Sequence, residues 1–189
     1  MGLFYKAPPK KFLEIRSRIF EECGVPALKK NGFEESPYNG MRFGKLQPSI
    51  YAYDLCRLSA GSHLETITVY ISKGDRWIQI FLNIFRLNPA LQSLDQLKGL
   101  ELMQFLLPPN SITQMRLRMD DYKGMPLFKT LEHKVKSYYS KRGFEKRIDQ
   151  LSKLIERDLN NIDHFVKRWH ELHQPAITDW EGNRLAITD

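Results

Sequence analysis

The alternation of hydrophobic and polar residues predicts β-strands in the first half of the chain. Every second residue is apolar in His63–Ser72 and again in Trp77–Phe85, as in strands with one buried face. Ile50–Leu58 is rich in aromatic and β-branched residues, and short turns separate the three segments. Short connections between consecutive strands require antiparallel pairing, so these segments are predicted to form a three-stranded meander. Alternation over Thr113–Met119 predicts a further strand with one basic face.

Apolar residues spaced three and four apart predict helices on both sides of these strands. Residues 10–30 form one such helix, with a kink or break expected at 24–26, where a glycine and a proline interrupt the pattern. The leucine-rich residues 90–106 favour one or two short helices. Residues 126–174 carry the strongest helical periodicity of the chain, and Gly143 is predicted to divide them into two helices.

Together these elements predict a single α+β domain. The N-terminal helix covers 10–30, and an antiparallel sheet of four or five strands lies mainly within 42–119, with the helical insertion at 90–106. The C-terminal helices of 126–174 pack on one face of the sheet. The tail 175–189 contains Ala-Ile-Thr-Asp twice, which is compatible with a small hairpin, with chance recurrence or with a frayed end.

A short motif links the first helix to the meander. Leu28-Lys29-Lys30-Asn31-Gly32-Phe33 combines a glycine that can end a helix with a core phenylalanine, and a polar loop follows it. The sequence over residues 12–86 resembles uncharacterised bacterial domains whose first helix ends in Leu-Lys-Lys-x-Gly-Phe before antiparallel strands. The resemblance implies an α+β fold and a cytoplasmic location. It implies no established activity and supplies no catalytic residue.

The composition is that of an ordinary globular protein. With 42% hydrophobic and 27% charged residues, the chain is neither collagen-like nor a low-complexity or disordered acidic segment. Two widely separated cysteines, Cys23 and Cys56, fit a reducing cytoplasm better than a disulfide framework. The most apolar stretch, Trp77–Leu87, is too short to span a bilayer, and the N-terminus lacks the apolar region of a signal peptide. We therefore expect a cytoplasmic protein, bacterial in style, without a membrane segment.

The net charge of +7 is unevenly distributed and points to one candidate binding segment. Residues 116–157 have a balance of +6, whereas 158–189 have a balance of −3. Within 134–147, six basic residues stand against one acidic residue and alternate with aromatic ones. The candidate binding residues are Lys134, Lys136, Tyr138, Tyr139, Lys141, Arg142, Lys146 and Arg147. Such residues could bind phosphates and stack on unpaired bases, or they could form a solvated helix–turn–helix with a tyrosine turned into the core.

One constellation of acidic residues suggests a metal-dependent nuclease. Asp120 or Asp121 precedes Glu132-His133-Lys134, and such nucleases hold Mg²⁺ with two carboxylates while a lysine steadies the attacking water. Those enzymes carry the Glu-x-Lys pair on a strand, whereas the neighbouring apolar spacing favours a helix here. We treat this site as an alternative only.

Three histidines near the end of the last helix form a second candidate metal site. His164, His170 and His173 lie within ten residues, but the sequence His-Glu-Leu-His places the last two three residues apart, and the zinc motif requires four. The competing interpretation is a polar helix end whose dipole favours protonated histidine. No metal or other cofactor is predicted.

Asp54 leaves two interpretations open. It shares its strand register with Ala52 and Cys56, so an inward orientation would make it a buried carboxylate with a raised pKa and a candidate site residue. Tyr53 and Leu55 are equally good core residues, and in that case Asp54 faces water.

These observations favour a non-enzymatic binding protein with a protein partner, in the manner of the small toxin-neutralising immunity proteins of bacteria. No phosphate-binding loop, nucleophile elbow or Cys-x-x-Cys pair occurs in the chain. The first alternative is nucleic-acid binding through 134–147. The second is a metal-dependent hydrolase or nuclease.

Overall fold

A computed structural model describes residues 5–60, 62–121 and 132–186. The α-helices are α1 (Pro9–Ile19), α2 (Val25–Lys30), α3 (Met103–Leu106), α4 (Lys141–Asn160) and α5 (Ile162–Leu172). The strands are β1 (Glu34–Glu35), β2 (Phe43–Gln47), β3 (Ile50–Ser59), β4 (His63–Ser72), β5 (Gln79–Leu87), β6 (Met115–Arg116) and β7 (Ala176–Thr178). A π-helical turn (Phe20–Gly24) joins α1 to α2, and 3₁₀ turns span Leu94–Leu97 and Asn110–Thr113.

The predicted meander forms the centre of the sheet. The strand order is β1-β3-β4-β5-β6, with β2 added beside β3 and β7 beside β5. All pairs are antiparallel except β5 with β7, which is parallel because the chain returns to the sheet through α4 and α5. The main path therefore has five strands, and the two additional strands are short pieces that pair at its sides.

The two faces of the sheet have different coverings. One face carries the larger core, in which alternate residues of the central strands meet the helices. Its sheet residues include Tyr53, Leu55, Ile67, Val69, Ile71, Ile78, Ile80, Leu82 and Ile84. The opposite face packs at one end against the insertion between β5 and β6, through Cys56, Leu64 and Phe85. The α+β class and the packing of the C-terminal helices on one face are confirmed.

The N-terminal helical region passes through the expected irregularity without ending. At 20–24 the backbone widens into the π-helical turn, and the N–H of Val25 donates to the carbonyl of Phe20. Pro26 then falls in the first turn of α2, where its missing N–H costs little. A Cβ atom on Gly24 would lie 2.5 Å from Cδ2 of Phe20, so the close packing against that ring requires glycine.

The prediction of helix on both sides of Gly143 is wrong for residues 132–140. Here the chain is extended beside the start of β5: Ile78 N donates to the His133 carbonyl at 2.8 Å, and Val135 N donates to the Arg76 carbonyl at 3.0 Å. Helix α4 begins only at Lys141, where the side chain of Ser140 accepts from the N–H of Gly143 at 3.0 Å. Gly143 therefore lies in the first turn of one helix. The predicted residues 126–131 lie outside the described part of the chain.

The strand predicted over Thr113–Met119 is shorter than expected. Only β6 pairs with β5, although Met115 and Leu117 are buried as the alternation requires. The backbone turns directly after β6, because Asp120 N donates to the Arg116 carbonyl at 2.9 Å and its carboxylate accepts from Arg116 N at 2.8 Å. This local turn ends the strand.

The described part of the C-terminal tail, which ends at residue 186, forms the small hairpin that was one of the interpretations of its sequence. Leu185 N donates to the Ile177 carbonyl at 2.9 Å, and Asp179 N donates to the Asn183 carbonyl at 3.0 Å. The hairpin places β7 against β5 and covers one end of the sheet.

A buried arginine fixes α1 to the turn between β4 and β5. The guanidinium of Arg16 donates to the carbonyls of Ser72 at 2.8 Å and Trp77 at 2.7 Å, and its Nε donates to the Phe12 carbonyl at 3.3 Å. Burial lowers the pKa of Arg16 to about 10, so it remains protonated at neutral pH. One side chain thus holds both ends of the hairpin turn in place.

Candidate functional site

A groove runs between the extended segment 132–137 and α4, and it opens beside the turn 74–77. The part along α4 has a volume of about 360 Å³, and the part next to the turn has about 950 Å³. Both parts are lined by Lys134, Lys136 and Arg147, so they form one depression, which we call the basic groove. Its basic side chains are Arg76, Lys134, Lys136, Arg147, Lys153 and Arg157.

The two carboxylates of the basic groove are already occupied by neighbouring groups. Glu132 forms an ion pair with Lys134. Asp75 accepts from the backbone N–H of Arg76 at 2.6 Å and from Nε2 of Gln79 at 2.7 Å. Lys136 has no carboxylate partner within the described ranges, so the groove keeps an excess of positive charge.

Three of the predicted binding residues, Lys134, Lys136 and Arg147, line the basic groove. Arg142 and Lys146 are exposed on α4, and their helical spacing of four residues places them in line with Gln150 at the groove. They therefore continue, towards the start of α4, the row of basic side chains that Arg147, Lys153 and Arg157 form along this helix.

The remaining three predicted residues lie elsewhere. The ring of Tyr138 packs 4.8 Å from Phe144 and 6.2 Å from Tyr5, measured between centroids, so it belongs to the aromatic packing between the N-terminus and α4. Tyr139 is 72% exposed, and its carbonyl accepts from Tyr5 N. Lys141 lines a separate cleft between α1 and α4. The interpretation of a tyrosine turned towards the core holds for Tyr138.

Four residues that line the basic groove were not among the binding residues predicted from the sequence. Lys153 and Arg157 continue the helical stripe of Arg147, so the periodicity of α4 contained a signal for them. Arg76 and Trp77 come from the β4–β5 turn, more than fifty residues before Lys134. No local pattern could reveal that this turn pairs with the segment 132–137.

The carboxylate of Asp158, on the buried side of α4, holds the walls of the basic groove together. Its two oxygens accept from Arg118 Nε at 2.7 Å and Nη2 at 2.6 Å, and Oδ2 lies 2.9 Å from Nε2 of His133. Asp158 and His133 are almost fully buried. Because His133 precedes Lys134 directly, this contact sets the distance between the segment 132–137 and α4.

The protonation states of this buried cluster follow from its contacts. Burial alone would raise the pKa of Asp158, but the hydrogen bonds from His133 and Arg118 outweigh it and keep the pKa well below its usual range. Burial lowers the pKa of His133, and the contact with Asp158 offsets this only in part. A neutral imidazole beside an ionised carboxylate carries its proton on Nε2, and the buried Nδ1 has no hydrogen-bond partner among the residues that the structure describes.

The acidic residues of the nuclease alternative do not assemble into a metal site within the described residues. The Glu132-His133-Lys134 segment is extended, so the expectation of a helix there is wrong. The side chains of the proposed nuclease site nevertheless bind different partners. His133 binds Asp158, Glu132 pairs with Lys134, and Asp120 closes the turn after β6. Across 5–60, 62–121 and 132–186, no group of three His, Cys, Asp or Glu side chains is placed to hold a metal.

The three histidines of α5 and its end are also not brought together as a metal site in the described part of the chain. His164 packs against Phe165, and His173 packs against Trp169. The ring of His170 instead meets the ring of His63 from β4, at 6.1 Å between centroids. Aromatic packing therefore separates the three side chains.

Asp54 is buried, and its carboxylate is fully engaged by neighbours. Arg42 donates to it from Nε and Nη2, both at 2.7 Å, and from its backbone N at 3.0 Å, while Thr68 Oγ1 donates at 3.1 Å. Asp54 is therefore buried as the inward interpretation expected, but Tyr53 and Leu55 are core residues of the opposite face, so both faces of the strand are covered here. The side chain of Asp54 ties the edge of the sheet to its centre and has no acceptor capacity left for a substrate.

We expect Asp158→Asn to lower the free energy of unfolding by about 3 kcal/mol, because it removes one partner of a buried ion pair and leaves Arg118 without its counter-charge. Urea unfolding followed by circular dichroism measures the change. The matched control is Asp149→Asn, which removes an exposed ion pair with Lys153 on the same helix and should cost less than about 0.5 kcal/mol. Equal effects of the two variants would contradict the structural role of Asp158.

Stability should fall as the pH drops below about 6.5, partly because of His133. The unfolded chain binds a proton at this imidazole near that pH, whereas the native imidazole stays neutral, so the unfolded state gains protons and stability is lost. The slope from one such group approaches about 1.4 kcal/mol per pH unit. Urea unfolding of the wild type and of His133→Gln at several values between pH 7.5 and 5 measures it.

The wild type should lose more stability over this range than His133→Gln. The control is His63→Gln. Burial, together with His170 and Arg86, also lowers the pKa of His63, but this side chain is only partly buried, so its replacement should change the pH dependence less. Identical pH dependence in the wild type and His133→Gln would show that His133 is not held neutral.

Comparisons with known proteins place this chain in no family. It has no significant match to a family model, to a curated protein or to a solved structure. Over 5–60, 62–121 and 132–186, none of the helices combines the length and apolar character that a membrane span requires.

Proposed function

We propose that this protein binds an extended polyanion, a nucleic-acid strand, in the basic groove. The observation that carries the proposal is the alignment of six basic side chains along one depression, because three of them, Arg76, Lys136 and Arg147, have no carboxylate partner among the described residues. Cations that neutralise phosphates release counterions, and this release favours binding at low salt.

The length of the basic groove suits a strand better than a single small anion. The α4 wall from Arg147 to Arg157 spans ten helical steps of about 1.5 Å, which is roughly 15 Å of helix. Even at the roughly 3.4 Å spacing of one strand in a duplex, this wall faces no more than about four phosphates. The exposed Arg142 and Lys146 offer further cations along the same helix.

We propose binding and assign no catalytic step, because the imidazole nearest the basic groove is engaged elsewhere. His133 is 1% exposed and donates to Asp158 beneath the wall of the groove. The proposal includes a cytoplasmic location, which is supported by the two free thiols Cys23 and Cys56.

The variant Lys136→Gln/Lys153→Gln tests the groove. It should weaken binding of a fluorescein-labelled 20-nucleotide single strand on the order of tenfold or more at 50 mM salt, because two phosphate contacts are lost. The slope of log affinity against log salt should shrink by roughly 1.4, at about 0.7 for each contact with a single strand. Fluorescence anisotropy measures both quantities.

The matched control is Lys30→Gln/Lys98→Gln. It removes the same net charge from exposed lysines outside the groove. In each double variant, one of the two lysines forms an ion pair in the wild type: Lys98 with Asp95 in the control, and Lys153 with Asp149 in the groove variant. The control should leave affinity and salt slope unchanged within error. Equal losses of affinity in the two double variants would show that binding depends on overall charge and not on the basic groove. Absence of binding at low salt would refute the proposal.

The protein-partner function is the second candidate, and exposed apolar side chains favour it. Three apolar side chains are exposed in the insertion between β5 and β6: Met103 is 58% exposed, Leu107 44% and Ile112 72%. All three lie within one stretch of ten residues. Apolar side chains grouped in this way mark interaction surfaces more often than isolated ones do.

We expect Met103→Asp/Ile112→Asp to abolish a stoichiometric complex that forms with the wild type in the native host. Tagged protein purified from that host and analysed by size-exclusion chromatography measures the complex. The control Met41→Asp alters an exposed methionine beside β2 and should retain it. Loss of the complex in all variants, or in none, would remove the support for this surface.

A further inference from the structure

The sheet leaves a partly exposed aromatic surface directly beside the basic groove. Successive residues of a strand point to opposite faces, so the residues of β5 between the core positions face away from the helices. We call this surface the open sheet face and define it by Tyr70, Trp77, Gln79, Phe81 and Arg116, all of which are half-buried. The register supports the grouping, because Gln79 pairs with Tyr70 and Phe81 pairs with Arg116.

Each end of this surface combines an aromatic ring with a cation. Cζ of Arg116 lies 4.3 Å from the ring centroid of Trp77, and Nζ of Lys134 lies 4.6 Å from it. Cζ of Arg42 lies 4.9 Å from the centroid of Tyr70. The ring of Phe81 meets that of Tyr70 at 6.3 Å, edge to face.

Trp77 belongs to both surfaces and joins them. Its side chain lines the basic groove, and Lys134 reaches its ring from the wall of that groove. From Trp77 to Phe81 the strand advances roughly 13 Å, which a few nucleotides can cover. The cations of the groove therefore lead directly to a row of rings.

This combination of charge and aromatic surface fits unpaired nucleotides. The π-face of every base can stack on an aromatic side chain, whereas bases in a duplex are already stacked on each other and paired. The ammonium group of Lys134 both covers Trp77 and pairs with Glu132, and its flexible chain lets an incoming base take its place on the ring while the ammonium group moves to a phosphate. Arg116 also has a buried Nη2 atom with no hydrogen-bond partner in the described residues, which leaves a donor beside the ring.

We propose that unpaired bases stack on Trp77, Tyr70 and Phe81 while the phosphates of the same strand lie in the basic groove. This inference rests on the proposed nucleic-acid function and gives it a substrate class, single-stranded nucleic acid. The protein then discriminates against duplexes and against strands without bases, although all three carry the same phosphates.

The test compares three 20-nucleotide probes: a mixed-sequence single strand, its blunt duplex, and a strand whose central positions are abasic. The wild type should bind the single strand most tightly. The variants Trp77→Leu and Phe81→Leu should each lose roughly 5- to 150-fold affinity for the single strand, the range that stacking on one ring supplies, and little for the other probes. The matched control Phe43→Leu alters a sheet aromatic outside this face and should change nothing.

Fluorescence gives a readout that does not depend on destabilising the sheet. Trp77 is one of three tryptophans, and stacking of a base should quench its emission. Trp77→Phe keeps an aromatic ring, so it should retain affinity for the single strand within about threefold while the quenching disappears.

The outcomes separate this inference from the function on which it rests. Salt-dependent binding with equal affinity for all three probes, or quenching that persists in Trp77→Phe, would overturn the stacking inference and leave the groove function standing. Failure to bind any probe at low salt would overturn both.

Discussion

The buried carboxylate of Asp158 is the contact on which the candidate site depends. It lies on α4, and it accepts hydrogen bonds from Arg118, just after β6, and from His133, at the start of the segment 132–137. Buried ion pairs often add little stability compared with apolar side chains of the same volume, because desolvation opposes the attraction. We therefore attribute to Asp158 chiefly a geometric role: it fixes the distance between the two walls of the basic groove.

The distribution of paired and unpaired charge supports the same interpretation. On the sheet, Arg42 is matched by Asp54, and Arg57 is matched by Glu65 and Asp163. In the basic groove, by contrast, three of the six basic side chains, Arg76, Lys136 and Arg147, have no carboxylate partner among the described residues. Like charges gathered in this way repel one another, and a negative partner would relieve that repulsion. Residues 116–157 hold +6 of the net charge of +7, so the charge is concentrated in the part of the chain that supplies most of the groove.

The sequence predicted the parts of the fold that rest on local pattern. The alternation of β4 and β5 and the helical period of α4 and α5 each follow from which side of the element is buried, and that information lies within ten or twenty residues. The segment 132–140 was predicted wrongly because Val135 and Tyr138 also fit helical spacing. Their burial has other causes: Val135 pairs with the backbone of Arg76, and Tyr138 packs against Phe144. Asp54 was undecided because its partner Arg42 lies twelve residues earlier, just before β2.

The turn that joins the basic groove to the open sheet face is held by long-range contacts of Arg16 that no local pattern encodes. Arg16 of α1 donates to the carbonyl of Trp77 from within the core, while the side chain of Trp77 points to the other side of the sheet and meets Lys134 and Arg116. The strand that follows then alternates between core residues and surface residues, so the position of Trp77 sets that of Phe81. The same arginine also holds the carbonyl of Ser72, and with it the turn that bounds the groove. A residue without solvent exposure therefore places the aromatic and basic groups that a ligand would meet.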